Sequence, residues 1–386
     1  MRNIRWSLLL LEFGLVSSIP LLAHHGNAAY DSAATKTVKG IVTEWIWSNP
    51  HCLLKVNSKV EKGNVTSWIL ETNSPVDLLR TGWTATSVKP GDEVTVDVMP
   101  TKNGTPVGRI GRVVLADGTV LSTDPLAVIF IRDGAYWTKG GVGRNTGFVV
   151  GKDGVIVFDA KMTPNSAKEM IAAIAKVTPK PVTHIVLSHS DGDHVNGLSG
   201  FAKGVTIIAQ ENCKREMEES KDSRTAAPQD YLPTKIFDKN LDLTIDGVRV
   251  QLRHWVPAHT SGDLIMLLPD ERIVFGGDLI DLTQFALVHT QKGGSTEGWI
   301  TSMQGIIALD ADTFVSGHGD LQTKSSLRAR LTAVEARRQK IKEMMASGRS
   351  LEEIKKTAPP EEPPTGPFGS PGFTEVVYNE FAKHPS

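Results

Sequence analysis

Cysteine is almost missing from this chain: two occur in 386 residues, Cys52 and Cys213. So few, so far apart, they exclude a disulfide framework and leave no thiolate cluster for a structural zinc ion. Each is read as a small buried residue. An excess of charge of either sign is missing too. The 42 Lys and Arg stand against 43 Asp and Glu, a net charge of -1, so no overall field draws the chain to nucleic acid or to an anionic membrane. Common catalytic signatures also fail. There is no His-Glu-x-x-His, no Gly-x-x-x-x-Gly-Lys and no Gly-x-Ser-x-Gly, and Gly141-Val142-Gly143 lacks the third glycine of a dinucleotide loop. Long apolar runs are confined to the N-terminus, where Arg2 and Arg5 precede a mostly apolar stretch from Leu8 to Leu22, broken by Glu12 and followed by Ala23. This reads as a secretory signal peptide over residues 1–23, too short and interrupted for a spanning helix. It predicts a periplasmic or secreted protein with no stable membrane anchor.

What is present falls into two units and a tail. Residues 24–123 read as a small β-barrel-like domain: strand-like runs at 38–47, 52–56, 68–71 and 93–98, turns at Ser48-Asn49-Pro50, Asn103-Gly104 and Asp117-Gly118, and a short helix from Ser74-Pro75 to Arg80. Five or so strands with one helix suggest an OB-like barrel. With its Asn49-Pro50-His51 motif, this stretch resembles an uncharacterised family of small exported bacterial domains, a likeness that implies no activity. Over residues 124–350 strand and helix signals alternate, the layout of an α/β domain with helices packed outside a mixed sheet. A charged helix is expected at 325–346, and residues 351–386, Pro-rich at 359–371, read as an exposed tail.

The chemistry concentrates in His189-Ser190-Asp191-Gly192-Asp193-His194, two imidazoles and two carboxylates in six residues, directly after a strand-like run. Such side chains at a strand-to-helix turn are the donors a divalent transition metal requires; the bland alternative is a polar turn whose Asp caps a helix. Three more donors follow strand-like runs: His259, Asp278 in Gly276-Gly277-Asp278, and His318 in Ser316-Gly317-His318-Gly319. Recurrence at four strand ends, three of them beside glycine, favours the metal.

In the order of these motifs the chain from about 126 to 320 resembles the metallo-β-lactamase-fold superfamily, whose signature is His-x-His-x-Asp-His followed by a His, an Asp and a His. The resemblance implies a four-layer αββα sandwich with a metal site at one edge of its sheets. Carried over by position, one ion takes His189, Asp191 and His259, a second takes Asp193, His194 and His318, and Asp278 bridges them. Two divalent ions are expected, zinc first, with iron or manganese as alternatives. Asp191 stands where the family has its second His. As a third carboxylate it removes one unit of positive charge from the site, which lowers the acidity of bound water and suits harder ions. Alternatively Asp191 does not ligate, and His189, His259 and Asp278 form an open site of the non-haem iron type.

The resemblance also implies the function: an exported metal-dependent hydrolase in which a metal-bridging hydroxide attacks an ester, thioester, lactone or amide bond, β-lactams included. Asp193 would orient that nucleophile and pass a proton to the leaving group. Trp137, Asn196 and His289 are candidates for contacting a small-molecule substrate, although a packed core suits Trp137 slightly better and Asn196 also suits a helix cap. Asp159, at another strand end, is where the family often has an Asp that orients ligands; a turn or capping residue is an equal reading. Two other classes remain: a mononuclear iron enzyme like the persulfide dioxygenases, and a non-catalytic envelope-binding protein. Nothing in the sequence specifies an oligomeric state.

Overall fold

Alternation decides the first unit. Strand β1 (Lys36–Ile46) buries Val38 and Val42 and exposes their neighbours, the period-two pattern of a sheet with one covered face. It is joined by β2 (Leu53–Lys59), β3 (Val65–Glu71), β4 (Glu93–Pro100), β5 (Val107–Leu115) and β6 (Val120–Ser122), in the order β3-β2-β1-β4-β5-β6. β3 also pairs with β5 in parallel, so the sheet closes on itself. Helix α1 (Pro75–Arg80) spans the gap between β3 and β4. The Ser74 side chain caps its N-terminus and Pro75 opens the first turn. Leu54, Leu70, Val96 and Val113 fill the interior with Trp83, whose indole N–H donates to Ser122 O at 2.7 Å. This is the small barrel expected.

The structure, a computed structural model, describes residues 30–31, 36–59, 65–81, 83–123, 126–141, 143–220, 229–283, 285–362 and 370–383. The signal peptide expected over residues 1–23 lies outside them. Among the described residues no helix is long and apolar enough to cross a membrane.

The second unit has two sheets. One comprises β7 (Ala127–Arg132), β8 (Ala135–Lys139), β9 (Thr146–Val150), β10 (Val155–Phe158), β11 (Val182–Val186), β12 (Thr206–Gln210) and β13 (Lys235–Phe237), side by side in that order. The other comprises β14 (Asn240–Ile245), β15 (Val248–Arg253), β16 (Ile265–Leu268), β17 (Ile273–Gly277) and β18 (Thr313–Ser316), again in chain order. The helices are α2 (Pro164–Ala175), α3 (Gly192–Val195), α4 (Glu211–Glu219), α5 (Thr296–Ala308), α6 (Lys324–Ala346), α7 (Leu351–Lys355) and α8 (Phe373–Lys383).

The layers follow from β10, which is buried on both faces. Val155 and Val157 pack with Met170 and Ile174 of α2 and Met217 of α4. Ile156 and Phe158 turn the other way, against Leu252, Met266 and Phe275 of the second sheet. That sheet's far face, through Ile265, Val274 and Phe314, packs on Trp299 and Met303 of α5 and on Leu327 and Val334 of α6. Helix, sheet, sheet and helix make four layers, as the resemblance implied.

One expectation is corrected. Residues 351–383 include α7 and α8, and Phe373, Val376 and Val377 of α8 lie in the outer helical core. Arg337 of α6 and Glu362 form a buried ion pair at 2.7 Å, and Thr374 of α8 donates its backbone N–H to the same Glu362 at 2.9 Å. Proline spacing signals a linker but does not register an apolar helix face beyond it.

Candidate metal centre

Parallel pairing sets the site. β10 runs parallel to β11, and β17 to β18, so the loops that follow these strands leave from the same ends of their sheets. The loop after β11 carries His189, and Asp191 is the N-cap residue of the single-turn helix α3. That turn brings Asp193 and His194 back toward His189, whose ring centroid is 4.2 Å from that of His194. Glycine is required at two points. Gly277 has φ +53°, and a Cβ there would come within 2.6 Å of Ser188 Cβ. A Cβ on Gly317 would lie 2.2 Å from Asp278 Oδ1, so only glycine lets the β18 loop close over that carboxylate.

Three imidazoles have one nitrogen engaged and the other turned inward. His189 Nδ1 meets Ser188 Oγ at 2.8 Å, His194 Nδ1 meets Asp159 Oδ2 at 2.7 Å, and His259 Nδ1 meets Leu287 O at 3.1 Å. Such outer partners fix ring orientation and tautomer in metal sites. Asp159 is itself fixed, at φ +65°, by accepting from Ser188 N at 2.7 Å and Ser188 Oγ at 2.8 Å.

The inward atoms gather in two sets, His189 with Asp191 and His259, and Asp193 with His194 and His318, and a third, fully buried group of His189, His194 and Asp278 overlaps both. Asp191 Oδ2 is 3.2 Å from His259 Nε2 and 3.5 Å from His189 Nε2. Asp278 lies between the sets. Its Oδ1 is 3.3 Å from His194 Nε2, and its Oδ2 is 3.1 Å from His318 Nε2 and 3.9 Å from His259 Nε2. Ligand atoms about 2.0–2.1 Å from a tetrahedral zinc stand about 3.4 Å apart, so the spacing suits coordination. The buried atoms His189 Nε2, His194 Nε2 and Asp278 Oδ1 have no hydrogen-bond partner. Atoms of this kind are costly to bury unless something else satisfies them. By spacing and by donor chemistry, the residues fit a divalent ion in each set.

The charges are strongly coupled. Burial pushes the Asp193 carboxyl up, but the charges of Arg144 and His194 outweigh it and hold it at about 2. Burial likewise opposes ionisation of Asp191, and the facing imidazoles of His189, His259 and His289 pull it well below the usual range. Burial disfavours a charged His259, yet its bond to Asp191 raises it to about 10. His194 is raised well above the ordinary value, as Asp278 and Asp159 outweigh its burial.

Of the residues expected to contact substrate, His289 joins the centre, with Nδ1 3.1 Å from Asp191 Oδ2 and its ring 4.5 Å from that of His259. Asn196 is the C-cap residue of α3, half-buried beside His194. Trp137 belongs to the core between the sheets, at 4% exposure, because its position on β8 points it inward; it is no flap over the site.

Other residues at the centre had no motif to reveal them. Arg144 Nε donates to Asp193 Oδ2. Lys292 Nζ lies 2.6 Å from Asp191 Oδ1 and 2.9 Å from Ser190 Oγ. Lys161 is fully buried and donates to Gly140 O at 3.0 Å and Arg144 O at 2.7 Å, holding the loop that presents Arg144. Burial lowers its amine to about 7. A cleft of about 460 Å³ opens beside Arg144 and His318, lined also by Lys139, Asn145 and Thr283. Asn145 Nδ2 donates to Gly319 O at 2.8 Å and ties two of its walls together. The barrel reaches this region through Arg112, 3.5 Å from Met162 Sδ; Met162 in turn packs on Gly143.

Comparison with known proteins agrees with this architecture. Residues 140–318 match the family described as the metallo-beta-lactamase superfamily, and residues 14–110 match a family of unknown function, DUF6152. A linear primary-alkylsulfatase from Pseudomonas sp. is 25% identical over 210 residues, 43% of this chain and 40% of that protein. The alpha subunit of a 2,4-dinitroanisole O-demethylase from Nocardioides sp. is 27% identical over 190 residues, 48% of this chain and 55% of the relative. The chain thus spans roughly half the length of these relatives. The structure of a stereoselective inverting sec-alkylsulfatase from Pseudomonas sp. superposes with a TM-score of 0.54 at 16% identity, covering 67% of this chain and 51% of that one. At that identity the likeness concerns the fold.

Proposed function

We propose that this chain, whose residues 140–318 form a metallo-β-lactamase-superfamily domain, is an exported hydrolase dependent on two divalent ions. The observation that carries the reading is the pair of ligand sets, His189/Asp191/His259 and Asp193/His194/His318, with the Asp278 carboxylate between them. Imidazole and carboxylate donors suit zinc first and admit iron or manganese. When bound, such ions supply Lewis acidity and make water nucleophilic near neutral pH.

The protein's own part is positioning. Asp159 and Ser188 hold the rings of His194 and His189. Asp193 would orient the attacking water and pass its proton toward the leaving group; its pairing with Arg144 keeps it ionised and fixed for the first of these tasks. The cleft beside Arg144 and His318 is the proposed seat of a small substrate. Candidate bonds are esters, thioesters, lactones and amides, β-lactams included. The alkylsulfatase among its relatives puts sulfate esters among those to be tried first.

The test is metal analysis of protein purified without added metal, followed by a panel of nitrocefin, a lactone, a thioester and an alkyl sulfate. Two ions per chain and turnover of at least one substrate are expected. One iron per chain with no hydrolysis would favour the mononuclear dioxygenase class, and metal-free protein without turnover would favour a binding protein.

A further inference from the structure

The family signature has a histidine where this chain has Asp191. A third carboxylate should leave the centre one unit less positive, but the structure adds a partner that the motif does not contain. Lys292 stands on the short turn after His289, with Nζ 2.6 Å from Asp191 Oδ1 and 2.9 Å from Ser190 Oγ. The other oxygen, Oδ2, faces His259, His189 and His289 at 3.2, 3.5 and 3.1 Å. One oxygen is therefore held from outside and the other left to the inward nitrogens. Ser190 passes the contact on to Glu216, which also accepts from Ser261 Oγ at 2.5 Å. Ser261 is two residues past His259, so one chain of polar contacts links Lys292, the ligand motif and the His259 loop.

We propose that Lys292 is a positioning residue for Asp191: it directs a single carboxylate oxygen inward and returns to the first metal set the positive charge that the Asp takes away. The pair replaces a neutral imidazole with an ammonium–carboxylate unit of the same net charge. It follows that Asp191 is tolerated at a ligand position because Lys292 is there, and that each residue is poorly suited to the site without the other. This inference rests on the two-ion reading above.

A double-mutant cycle tests it. Chelator-treated wild type, Lys292→Met, Lys292→Arg, Asp191→His and the double variant Asp191→His/Lys292→Met are each titrated with zinc against a chromophoric chelator. Thermal melts of the metal-free proteins confirm that each is folded. In Asp191→His the ammonium is left facing an imidazole and the cation, so first-set affinity should fall about tenfold or more, the order expected of an uncompensated charge one side chain away. Adding Lys292→Met to that background should restore it by a similar factor. In the wild-type background Lys292→Met frees Asp191 from its anchor, so affinity should fall, by about threefold or more. Lys292→Arg should behave as wild type. Equal factors for Lys292→Met in both backgrounds overturn the proposal while leaving the metal centre standing. Wild type that binds none of zinc, manganese or ferrous iron overturns the centre itself, and this inference with it.

Discussion

Asp278 is the residue that stands between the two candidate ligand sets. Its two oxygens face His194 and His318, and Oδ2 also looks toward His259. Asp278→Ala should abolish binding of both ions and with it nearly all turnover; unchanged metal content by elemental analysis would refute the bridging position. Asp159 acts one step further out, through its 2.7 Å bond to His194 Nδ1. Asp159→Ala should weaken metal binding by about 10- to 100-fold, the range for lost outer partners of metal-bound histidines, with the fold retained. The same chelator competition measures this, and an effect under about threefold would show that Ser188 alone positions the ring. The seven ligand candidates were legible in the chain because each follows a strand and most sit beside a glycine that announces the turn. Arg144 and Lys292 were not. They reach their carboxylates from 49 and 101 residues away, and a lone cation on a loop looks the same in sequence whether it meets water or a buried acid.

At the scale of elements, the outer helical layer depends on a contact between distant segments. Arg337 in α6 and Glu362 after α7 are both buried. The guanidinium also donates to Thr374 Oγ1 of α8 at 2.6 Å and to Thr357 Oγ1 at 3.0 Å. Removing one partner of such a pair strands the other, so Glu362→Ala should lower stability by about 3–5 kcal/mol, read from denaturant midpoints. A loss under about 1 kcal/mol would mean that α8 is held by Phe373 and Val377 alone. Most strands were readable from the chain because the sheets of this fold bury short apolar runs, as in β10 and β16. Helix α8 was obscured by the prolines before it. Helix α5 was obscured by Gly298 and Gly305, poor helix formers that are there for close packing: a Cβ on either would strike Pro257 O or the Trp255 ring. The loop bearing Arg144 is another such element. Lys161→Met should remove the donors to Gly140 O and Arg144 O and cost about 1–3 kcal/mol, with a loss of kcat/KM as Arg144 moves. A wild-type melt and rate would show that the loop stands without its lysine.

At the scale of the whole molecule, the charge state of the donors would be coupled to metal uptake. The order of donors along the chain disclosed the sandwich, and strand spacing disclosed the barrel, but neither discloses that the donors hold one another's protons before any ion arrives. In the metal-free protein His259 is raised to about 10 and His194 well above its ordinary value, while Asp193 lies at about 2 and Asp191 and Asp278 lie well below the carboxylate range. An imidazole must give up its proton before that nitrogen can ligate. Metal uptake near pH 8 should therefore release about two protons per chain, from His259 and His194, measurable from the buffer dependence of the calorimetric binding heat. The sign for stability follows from linkage. His259, with its folded value raised, stabilises the metal-free protein fully below its unfolded value of 6.5 and loses that contribution as pH climbs to about 10. Lys161 works oppositely: with its value lowered to about 7, its burial cost is present below 7 and fades toward 10.5. The lysine is common to both forms, whereas an ion that holds His259 neutral removes the histidine's dependence. The gap in melting temperature between metal-loaded and metal-free protein should accordingly widen from pH 6.5 to pH 10. A gap that is flat across that range, or uptake that releases no protons, would mean that His259 and His194 are already neutral in the metal-free centre.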